Sequence, residues 1–295
     1  MSPHPMSPRR GEPPMIDCDG LVRIYKTDEL EVIALQSLDL RVWPAELVTI
    51  VGSSGSGKST LLNILGGMDE PTAGRARVGD TDLMAMSHRD RIEYRRHQVG
   101  FVWQQTARNL VPYLSAAQNV ELPLALAGTG RRRRRSRALE LLDLVGLAPR
   151  ARHRPAEMSG GEQQRVAIAV ALANEPDVLL ADEPTGELDS ATATEVIDLL
   201  RHANAELGVT GVIVTHDPLV SSQVDRTLTI RDGRVSAETL RNRDGGEGTE
   251  FVVLDREGRL QLPEQLVSDL GLADRVRVEQ ADHHVEVWPE VRREH

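Results

Sequence analysis

The chain has 295 residues, 40% of them hydrophobic, and this length accommodates one large core and a small second domain. Its formal net charge of −10 disfavours non-specific attraction to nucleic acid or anionic lipid. The single cysteine, Cys18, excludes a disulfide within the chain, which suits a reducing cytosol.

The N-terminal segment, residues 1–14, contains Pro and Arg but no apolar core. It is therefore predicted to be a disordered tail rather than a secretory signal. No apolar run in the sequence approaches the roughly 18 residues that would suggest a membrane span. If the protein works at a membrane, we expect it to dock onto another protein there.

The first predicted elements are short strands between residues 16 and 51. Residues 38–42 alternate apolar with polar side chains, and Leu47–Val51 is the apolar run of a buried strand. This run leads directly into a glycine-rich loop, residues 52–59, and a helix is predicted to begin with residues 61–65.

The loop matches the pattern G-x-x-x-x-G-K-S between a strand and a helix, the context of a phosphate-binding loop. Small residues let backbone N–H groups converge on phosphate oxygens, and the following helix adds the positive end of its dipole. Lys58 is expected to reach the β- and γ-phosphates, and the Ser59 hydroxyl to ligate Mg²⁺. The predicted nucleotide-binding residues of this segment are Gly52, Ser53, Gly55, Ser56, Gly57, Lys58, Ser59 and Thr60.

The middle of the chain, residues 107–155, is predicted to be mostly helical. Residues 116–127 and 137–145 have helix-compatible apolar spacing, broken by Pro123 and a glycine turn at residues 128–130. The basic run Arg131 to Arg135 is interpreted as a solvated turn, with contact to lipid headgroups or phosphate as the alternative.

Strands return at residues 178–181 and 212–215, with a helix between them from about 191 to 206. This alternation predicts a parallel sheet with crossover helices. Asp182 is expected at the carboxyl end of a strand, where ligands bind in open α/β sheets, with an indirect or water-mediated contact to Mg²⁺. Glu183, next in sequence, is the predicted general base that polarises the attacking water.

The end of the chain is predicted to be a separate small, mostly-β unit, residues 250–290, after a polar linker at residues 241–249. The expected elements are a strand, a turn at residues 255–258, a strand at residues 259–262, a helix over about 264–270, and strands near residues 275–279 and 285–288.

Two motifs indicate which nucleotide-binding family the chain resembles. Residues 158–165, Met-Ser-Gly-Gly-Glu-Gln-Gln-Arg, and residues 178–183, Val-Leu-Leu-Ala-Asp-Glu, resemble the signature and Walker B motifs of the ATP-binding cassette (ABC) family. The resemblance implies an ATP hydrolase that uses ATP and Mg²⁺. It also implies an α/β P-loop NTPase (ABC ATPase) core over residues 15–240, with an N-terminal antiparallel β subdomain and a helical subdomain at about residues 105–165.

The same resemblance implies roles for residues outside these motifs. Tyr25 stands where the family places an aromatic side chain that stacks on adenine. Gln104, preferred to the adjacent Gln105 because it follows the apolar run, resembles the glutamine that contacts the metal or the water. His216 resembles the histidine that hydrogen-bonds the γ-phosphate. The predicted catalytic residues are Glu183, His216 and Gln104, and the predicted metal-site residues are Ser59, Gln104 and Asp182.

The signature implies a homodimer, because in the family it contacts the ATP held by the other subunit. The residues expected to do so are Ser159, Gly160, Gly161 and Glu162, with the segment 186–190 crossing the same interface. The chain departs from the family pattern at Glu162, Glu187 and Val170, where Gln, Asn and Arg are frequent.

Residues 29–35, 66–74 and 119–124 resemble the lipoprotein-releasing and macrolide-export branch of the family. That resemblance implies an ATPase peripheral on the cytoplasmic face of the cell membrane. Its implied partner is an integral-membrane permease with a large extracytoplasmic domain, and its output is export or transmission of motion across the membrane.

Residues 250–290 resemble an AbrB-type swapped-hairpin domain, which implies dimerisation. Residues 250–294 contain eleven acidic and six basic side chains, a net charge of −5, so DNA is an unlikely partner. The alternatives are a soluble ABC-type ATPase that works on nucleic acid or ribosomes, and a DNA-linked regulator that acts through this C-terminal domain.

Overall fold

The computed structural model describes residues 12–26, 30–105, 108–241, 248–272 and 275–289. Most of the predicted tail and of the predicted linker therefore lies outside the described residues. The chain divides into two compact units, Met1–Glu250 and Phe251–His295. In the part of the chain that is described, no helix is both long enough and apolar enough to cross a membrane.

The first unit contains two sheets and the helices that pack on them. Its strands are β1 (Ile16–Lys26), β2 (Glu31–Val42), β3 (Leu47–Val51), β4 (Ala73–Val78), β5 (Thr81–Asp82), β6 (Val99–Val102), β7 (Val178–Asp182), β8 (Thr210–Val214), β9 (Arg226–Arg231), β10 (Arg234–Leu240) and β11 (Thr249–Val252), which crosses the boundary between the units. Its helices are α1 (Lys58–Leu65), α2 (His88–His97), α3 (Ala116–Leu126), α4 (Arg131–Leu144), α5 (Gly160–Ala171), α6 (Ser190–Leu207) and α7 (Pro218–Ser222), with 3-10 turns at Ala148–Arg150 and Pro155–Glu157.

The first sheet is antiparallel, in the order β2-β1-β4-β5. Alternate residues of β2, namely Leu38, Leu40 and Val42, are buried, as the alternating sequence pattern predicts. Cys18 of β1 is buried in the same core, and burial raises the pKa of its thiol well above the ordinary value. The predicted antiparallel β subdomain is confirmed.

The second sheet is mostly parallel and positions the candidate site. Its order is β10-β9-β3-β8-β7-β6, with β11 at the β10 edge. Strand β3 pairs in parallel with β8 and β9, β7 pairs in parallel with β6 and β8, and β9 pairs antiparallel with β10. The carboxyl ends of β3, β7 and β8 therefore lie side by side. The predicted α/β P-loop architecture is confirmed.

Strand β7 separates two hydrophobic cores. Val178 and Leu180 belong to the core shared with the antiparallel sheet and α1, whereas Leu179 and Ala181 belong to the core shared with α3 to α6. Because successive side chains of a strand point to opposite faces, a strand covered on both faces is apolar throughout. This explains the continuous apolar run before Asp182.

The helical region differs from the prediction at two places. Pro123 lies inside α3 rather than breaking it: the helix continues to Leu126, and the Ala127 N–H donates to the Pro123 carbonyl at 3.0 Å. The run from Arg131 to Arg135 forms the first turns of α4 rather than a turn between helices, and it is largely exposed.

The second unit contains α8 (Glu264–Asp269) and the antiparallel pair β12 (Val276–Gln280) and β13 (Val285–Pro289). The predicted strand at residues 259–262 is wrong: these residues form no strand, although the turn predicted at residues 255–258 is present and is closed by the Asp255 N–H, which donates to the Arg259 carbonyl at 2.8 Å. Among the described residues from 251 to 289, none is classed as buried.

Candidate functional site

The phosphate-binding loop connects β3 to α1. Lys58 is the first residue of α1, and its Nζ donates to the carbonyls of Gly52 at 2.8 Å and Ser53 at 2.9 Å. Gly57 has φ 104°, and a Cβ there would stand 2.5 Å from the Ala34 carbonyl oxygen, so only glycine fits this turn. The geometry aims the N-terminus of α1 into the loop and folds the lysine back over it.

Ser59 and Asp182 bring α1 and β7 together. The Ser59 hydroxyl donates to Oδ1 of Asp182 at 3.5 Å. Burial raises the pKa of the Asp182 carboxyl; the Ser59 hydrogen bond opposes this shift, and the neighbouring Glu183 charge adds to it. Two oxygen-bearing side chains thus face each other at the carboxyl edge of the sheet, where the sequence predicted a metal site.

Glu183 and His216 follow β7 and β8 and contact each other. Glu183 has φ 47°, and its N–H donates to the Val214 carbonyl at 2.8 Å. Its carboxylate accepts from the His216 backbone N–H at 3.3 Å and lies 2.8 Å from the imidazole Nδ1. The Glu183 side chain is 13% exposed and that of His216 is 72% exposed. The predicted base is therefore sheltered, and the imidazole reaches solvent.

Gln104 follows β6, the strand beside β7. Its amide nitrogen lies 3.5 Å from the point where a Cβ on Gly186 would stand, and the Gly186 N–H donates to the Glu183 carbonyl at 3.1 Å. The structure therefore places Gln104 next to the turn that follows Glu183.

Tyr25 lies near the end of β1 and is 37% exposed. Its hydroxyl donates to Oδ2 of Asp69 at 2.6 Å, and the Arg23 guanidinium carbon lies 4.4 Å from the ring centroid. Sequence reasoning missed both partners. Arg23 is two residues before Tyr25 in the same strand, which is a usable signal, whereas Asp69 is 44 residues away.

The signature segment forms the start of α5. The Ser159 hydroxyl accepts from the Glu162 N–H at 3.2 Å, and the Ser159 N–H donates to the Glu162 carboxylate at 2.9 Å. These two bonds form a capping box. The Ser159 N–H holds the pKa of the Glu162 carboxyl below its usual value, and Arg150, 3.3 Å away, adds to the effect. The sequence gave no signal for Arg150.

The two signature glycines differ in their surroundings. Gly160 is exposed, and a Cβ there would meet Leu188 at an ordinary 3.6 Å. Gly161 is buried, and a Cβ there would stand 2.3 Å from the Thr192 methyl carbon of α6. The predicted phosphate contact at Gly161 therefore falls on a residue that packs α5 against α6, a role that the sequence did not indicate.

The candidate residues thus form two hydrogen-bonded sets. One set lies at the carboxyl edge of the parallel sheet, with Gln104 beside it, and its hydrogen bonds join Lys58 to its own loop, Ser59 to Asp182 and Glu183 to His216. The other set is the start of α5, where Ser159 and Glu162 bond to each other. Both sets present groups that bind anions: a lysine and a helix N-terminus in the first, and a serine and a helix N-terminus in the second.

Known proteins resemble this chain in sequence. The family model described as ABC transporter matches residues 35–186. The lipoprotein-releasing system ATP-binding protein LolD 2 of Caulobacter vibrioides is 46% identical over 227 residues, 77% of this chain and 99% of that protein. The macrolide export ATP-binding/permease protein MacB of Rhodopseudomonas palustris is 48% identical over 225 residues, 76% of this chain and 34% of that protein. The chain thus spans about a third of the length of the MacB proteins it matches.

Solved structures resemble it as well. The dimeric ATP-binding cassette MJ0796, in a post-hydrolysis state with ADP and Pi, has a TM-score of 0.70 and 42% identity, over 77% of this chain and 100% of that chain. The cassette cbiO1 of Clostridium perfringens, part of the cbiONQ transporter complex, has a TM-score of 0.70 and 28% identity, over 77% of this chain and 88% of that chain.

Proposed function

Because this chain belongs to the ABC transporter family, and is therefore an ATP-binding ATPase, we propose that it is the ATPase subunit of a bacterial transporter. Two copies close around two ATP molecules, and the closing and reopening of this homodimer drive a separate permease. The observation that carries the proposal is the division of the candidate residues into two hydrogen-bonded sets, each suited to phosphate.

A symmetric dimer uses both sets. In a two-fold dimer the same surface is used by both subunits, so the phosphate loop of one copy faces the start of α5 of the other, twice. The Ser159 hydroxyl and the N–H groups at the α5 start then reach the γ-phosphate from the opposite side. ATP bound between the two subunits holds them together, and its hydrolysis lets them separate.

The roles within one site follow from the contacts. Lys58 leaves the carbonyls of its own loop for the β- and γ-phosphate oxygens, which are stronger acceptors because they are charged. Glu183 polarises the attacking water, and His216, whose side chain is already exposed, turns to the γ-phosphate. Gln104 contacts the metal or the attacking water, and Tyr25 stacks on adenine.

The residues present fit Mg²⁺. This ion prefers oxygen ligands and is usually held by one or two protein groups together with substrate phosphates and waters. The Ser59 hydroxyl and the Asp182 carboxylate, 3.5 Å apart, supply such oxygens beside the loop, and the Gln104 amide, next to the turn that follows Glu183, is a further oxygen donor proposed for the ion. When bound, Mg²⁺ neutralises charge that develops on the β- and γ-phosphate oxygens.

We propose that the transporter belongs to the LolD and MacB type, on the basis of identities of 46% and 48%. The ATPase then acts at the cytoplasmic face of the cell membrane. Its partner is an integral-membrane permease with a large extracytoplasmic domain, and its work is export or transmission of motion across the membrane. Purification of the tagged protein from gently solubilised host membranes tests this: recovery without any polytopic partner contradicts it.

The second unit is proposed to be an AbrB-type swapped-hairpin domain that joins two copies. The support is its lack of a core: Leu254, Val278 and Val285 are 63%, 60% and 61% exposed, and none of the described residues 251–289 is classed as buried. A segment this short buries too little apolar surface to fold alone, so a second copy supplies the missing contacts. The net charge of −5 over residues 250–294 disfavours DNA.

Subunit mixing tests the shared site. Lys58→Ala removes the lysine of the phosphate loop, and Ser159→Ala, in a second variant, removes the signature hydroxyl. Each variant therefore forms homodimers with two defective sites. In a mixed dimer, the loop of one copy and the signature of the other form one intact site. The mixture should recover ATPase activity that neither variant has alone. If the folded variants form mixed dimers without any recovery, the shared site is wrong.

A further inference from the structure

Asp69, on the loop after α1, contacts both Tyr25 and the residue that covers its ring. Its Oδ2 accepts from the Tyr25 hydroxyl at 2.6 Å and from the Arg23 Nε at 3.0 Å. Its Oδ1 lies 2.6 Å from the second guanidinium nitrogen of Arg23. The Arg23 and Asp69 side chains are 22% and 19% exposed, so this bidentate ion pair is mostly sheltered from water.

The three side chains together leave Tyr25 little freedom. The hydroxyl bond holds the tip of the ring, and the guanidinium, 4.4 Å from the ring centroid, covers one face. Tyr25 remains 37% exposed. A flat partner such as adenine therefore meets a ring whose position is already set, and it does not have to order the ring itself.

The loop that carries Asp69 is tied to the phosphate site. The Asp69 N–H donates to the carbonyl of Asn63, a residue of α1, at 3.1 Å. The Thr72 N–H donates to the Val22 carbonyl at 2.8 Å, and the Thr72 hydroxyl accepts from the Ile24 N–H at 3.0 Å. These bonds bracket Arg23 on β1 and connect it to the helix whose first residue is Lys58.

We propose that Asp69 is a positioning residue for the nucleotide base. It anchors the Tyr25 hydroxyl directly and holds Arg23 against the back of the ring, so that the base platform keeps a fixed distance from the phosphate loop. This inference rests on the proposed adenine contact of Tyr25. It adds a residue that touches neither base nor phosphate and whose effect on affinity passes through Tyr25.

The test is a double-mutant cycle on the full-length protein, with affinity measured by equilibrium titration of a fluorescent ATP analogue whose base is intact. Stacking on an aromatic side chain is worth about 5- to 150-fold in affinity, so Tyr25→Ala should lower the affinity for ATP by a factor in that range. Asp69→Asn keeps the size of the side chain and should lower the affinity for ATP by about 3- to 10-fold, which is less than the full loss expected for Tyr25→Ala. In the Tyr25→Ala background, Asp69→Asn should have less than about a twofold effect.

Two measurements separate positioning from a general loss of structure. Inorganic tripolyphosphate has no base, so its competition for the phosphate loop should be unchanged by Asp69→Asn, as should kcat at saturating ATP. Asp17→Asn is the matched control: Asp17 of β1 pairs with Arg41 of β2 at 3.3 Å, at the opposite end of β1 from Tyr25, and its loss should leave ATP affinity unchanged.

The outcomes are distinct. Three results would overturn the positioning role alone. They are an equal effect of Asp69→Asn on ATP affinity with and without the Tyr25 ring, a loss of tripolyphosphate affinity as large as the loss of ATP affinity, and no loss of ATP affinity. If Tyr25→Ala does not lower the affinity for ATP, the adenine contact in the proposed function is wrong, and the positioning role of Asp69 is then wrong as well. The expected result is a base-dependent loss that disappears with Tyr25.

Discussion

Gly161→Ala should destabilise the fold because α5 lies too close to α6 for a side chain there. The new Cβ would stand 2.3 Å from the Thr192 methyl carbon, whereas carbon atoms in contact prefer about 3.5–4.0 Å. Rotating Thr192 out of the way breaks the bond from its hydroxyl to Asp189, 2.8 Å long. Overpacking costs about 1–3 kcal/mol, the broken hydrogen bond costs about 1 kcal/mol, and alanine regains up to about 1 kcal/mol of helix propensity, so we expect a net loss of about 1–3 kcal/mol.

The assay is urea unfolding of the first unit, compared with Gly160→Ala as the matched control. Gly160 precedes Gly161 in the same helix start, but its Cβ would meet Leu188 at an ordinary 3.6 Å. That variant should not destabilise the fold, and the helix propensity of alanine should raise the free energy of unfolding by up to about 1 kcal/mol. Thr192→Ser removes the clashing methyl and keeps the hydroxyl, so it should restore most of the stability lost in Gly161→Ala.

The reasoning fails if Gly161→Ala and Gly160→Ala unfold at the same urea concentration. It also fails if Thr192→Ser, added to Gly161→Ala, restores nothing, because the loss would then come from another contact. The expected result would assign different roles to the two signature glycines: Gly161 packs α5 against α6, and Gly160 remains available to contact phosphate.

Three further outcomes are expected. Glu183→Gln removes the predicted base but not the phosphate contacts, so the variant should retain ATP after gel filtration while the parent protein does not; rapid loss of ATP from both would contradict the role of Glu183. Deletion of residues 245–295 should weaken the nucleotide-free dimer in sedimentation, and an unchanged dimer would count against a joining role for the second unit. Because the pKa of Glu162 is lowered by its Ser159 hydrogen bond, its charge stabilises the fold above about pH 5 and stops doing so as the carboxylate is protonated below that. The stability difference between the parent protein and Glu162→Gln should therefore narrow below about pH 5 in thermal unfolding, and a difference that stays constant would show that the charge is not responsible.

Sequence reasoning succeeded where local pattern and physical cause coincide. The apolar run before Asp182 predicts a strand covered on both faces, and Leu47–Val51 followed by the glycine loop predicts β3 and α1. These elements fix the order of strand ends, so the meeting of Ser59 with Asp182 and of Glu183 with His216 was within reach of the sequence.

It failed where the deciding contact comes from elsewhere in the chain. Nothing local distinguishes Gly160 from Gly161; the difference is Thr192, about thirty residues later, which closes over one and not the other. Asp69 is likewise brought to Tyr25 by the pairing of strands, not by spacing. At residues 259–262 the sequence predicted a strand, but the structure contains only the turn before it, which is closed by the hydrogen bond from the Asp255 N–H to the Arg259 carbonyl.

The burial of Cys18 has a practical consequence for following dimer closure. Alkylating reagents attack the thiolate, and burial both raises the pKa of this thiol and shields it from reagent. The folded protein therefore needs no cysteine replacement before a single reporter thiol is introduced on its surface, for example near the start of α5. A fluorescent label there would report the approach of a second subunit, and any slow labelling of Cys18 itself would measure how often β1 opens.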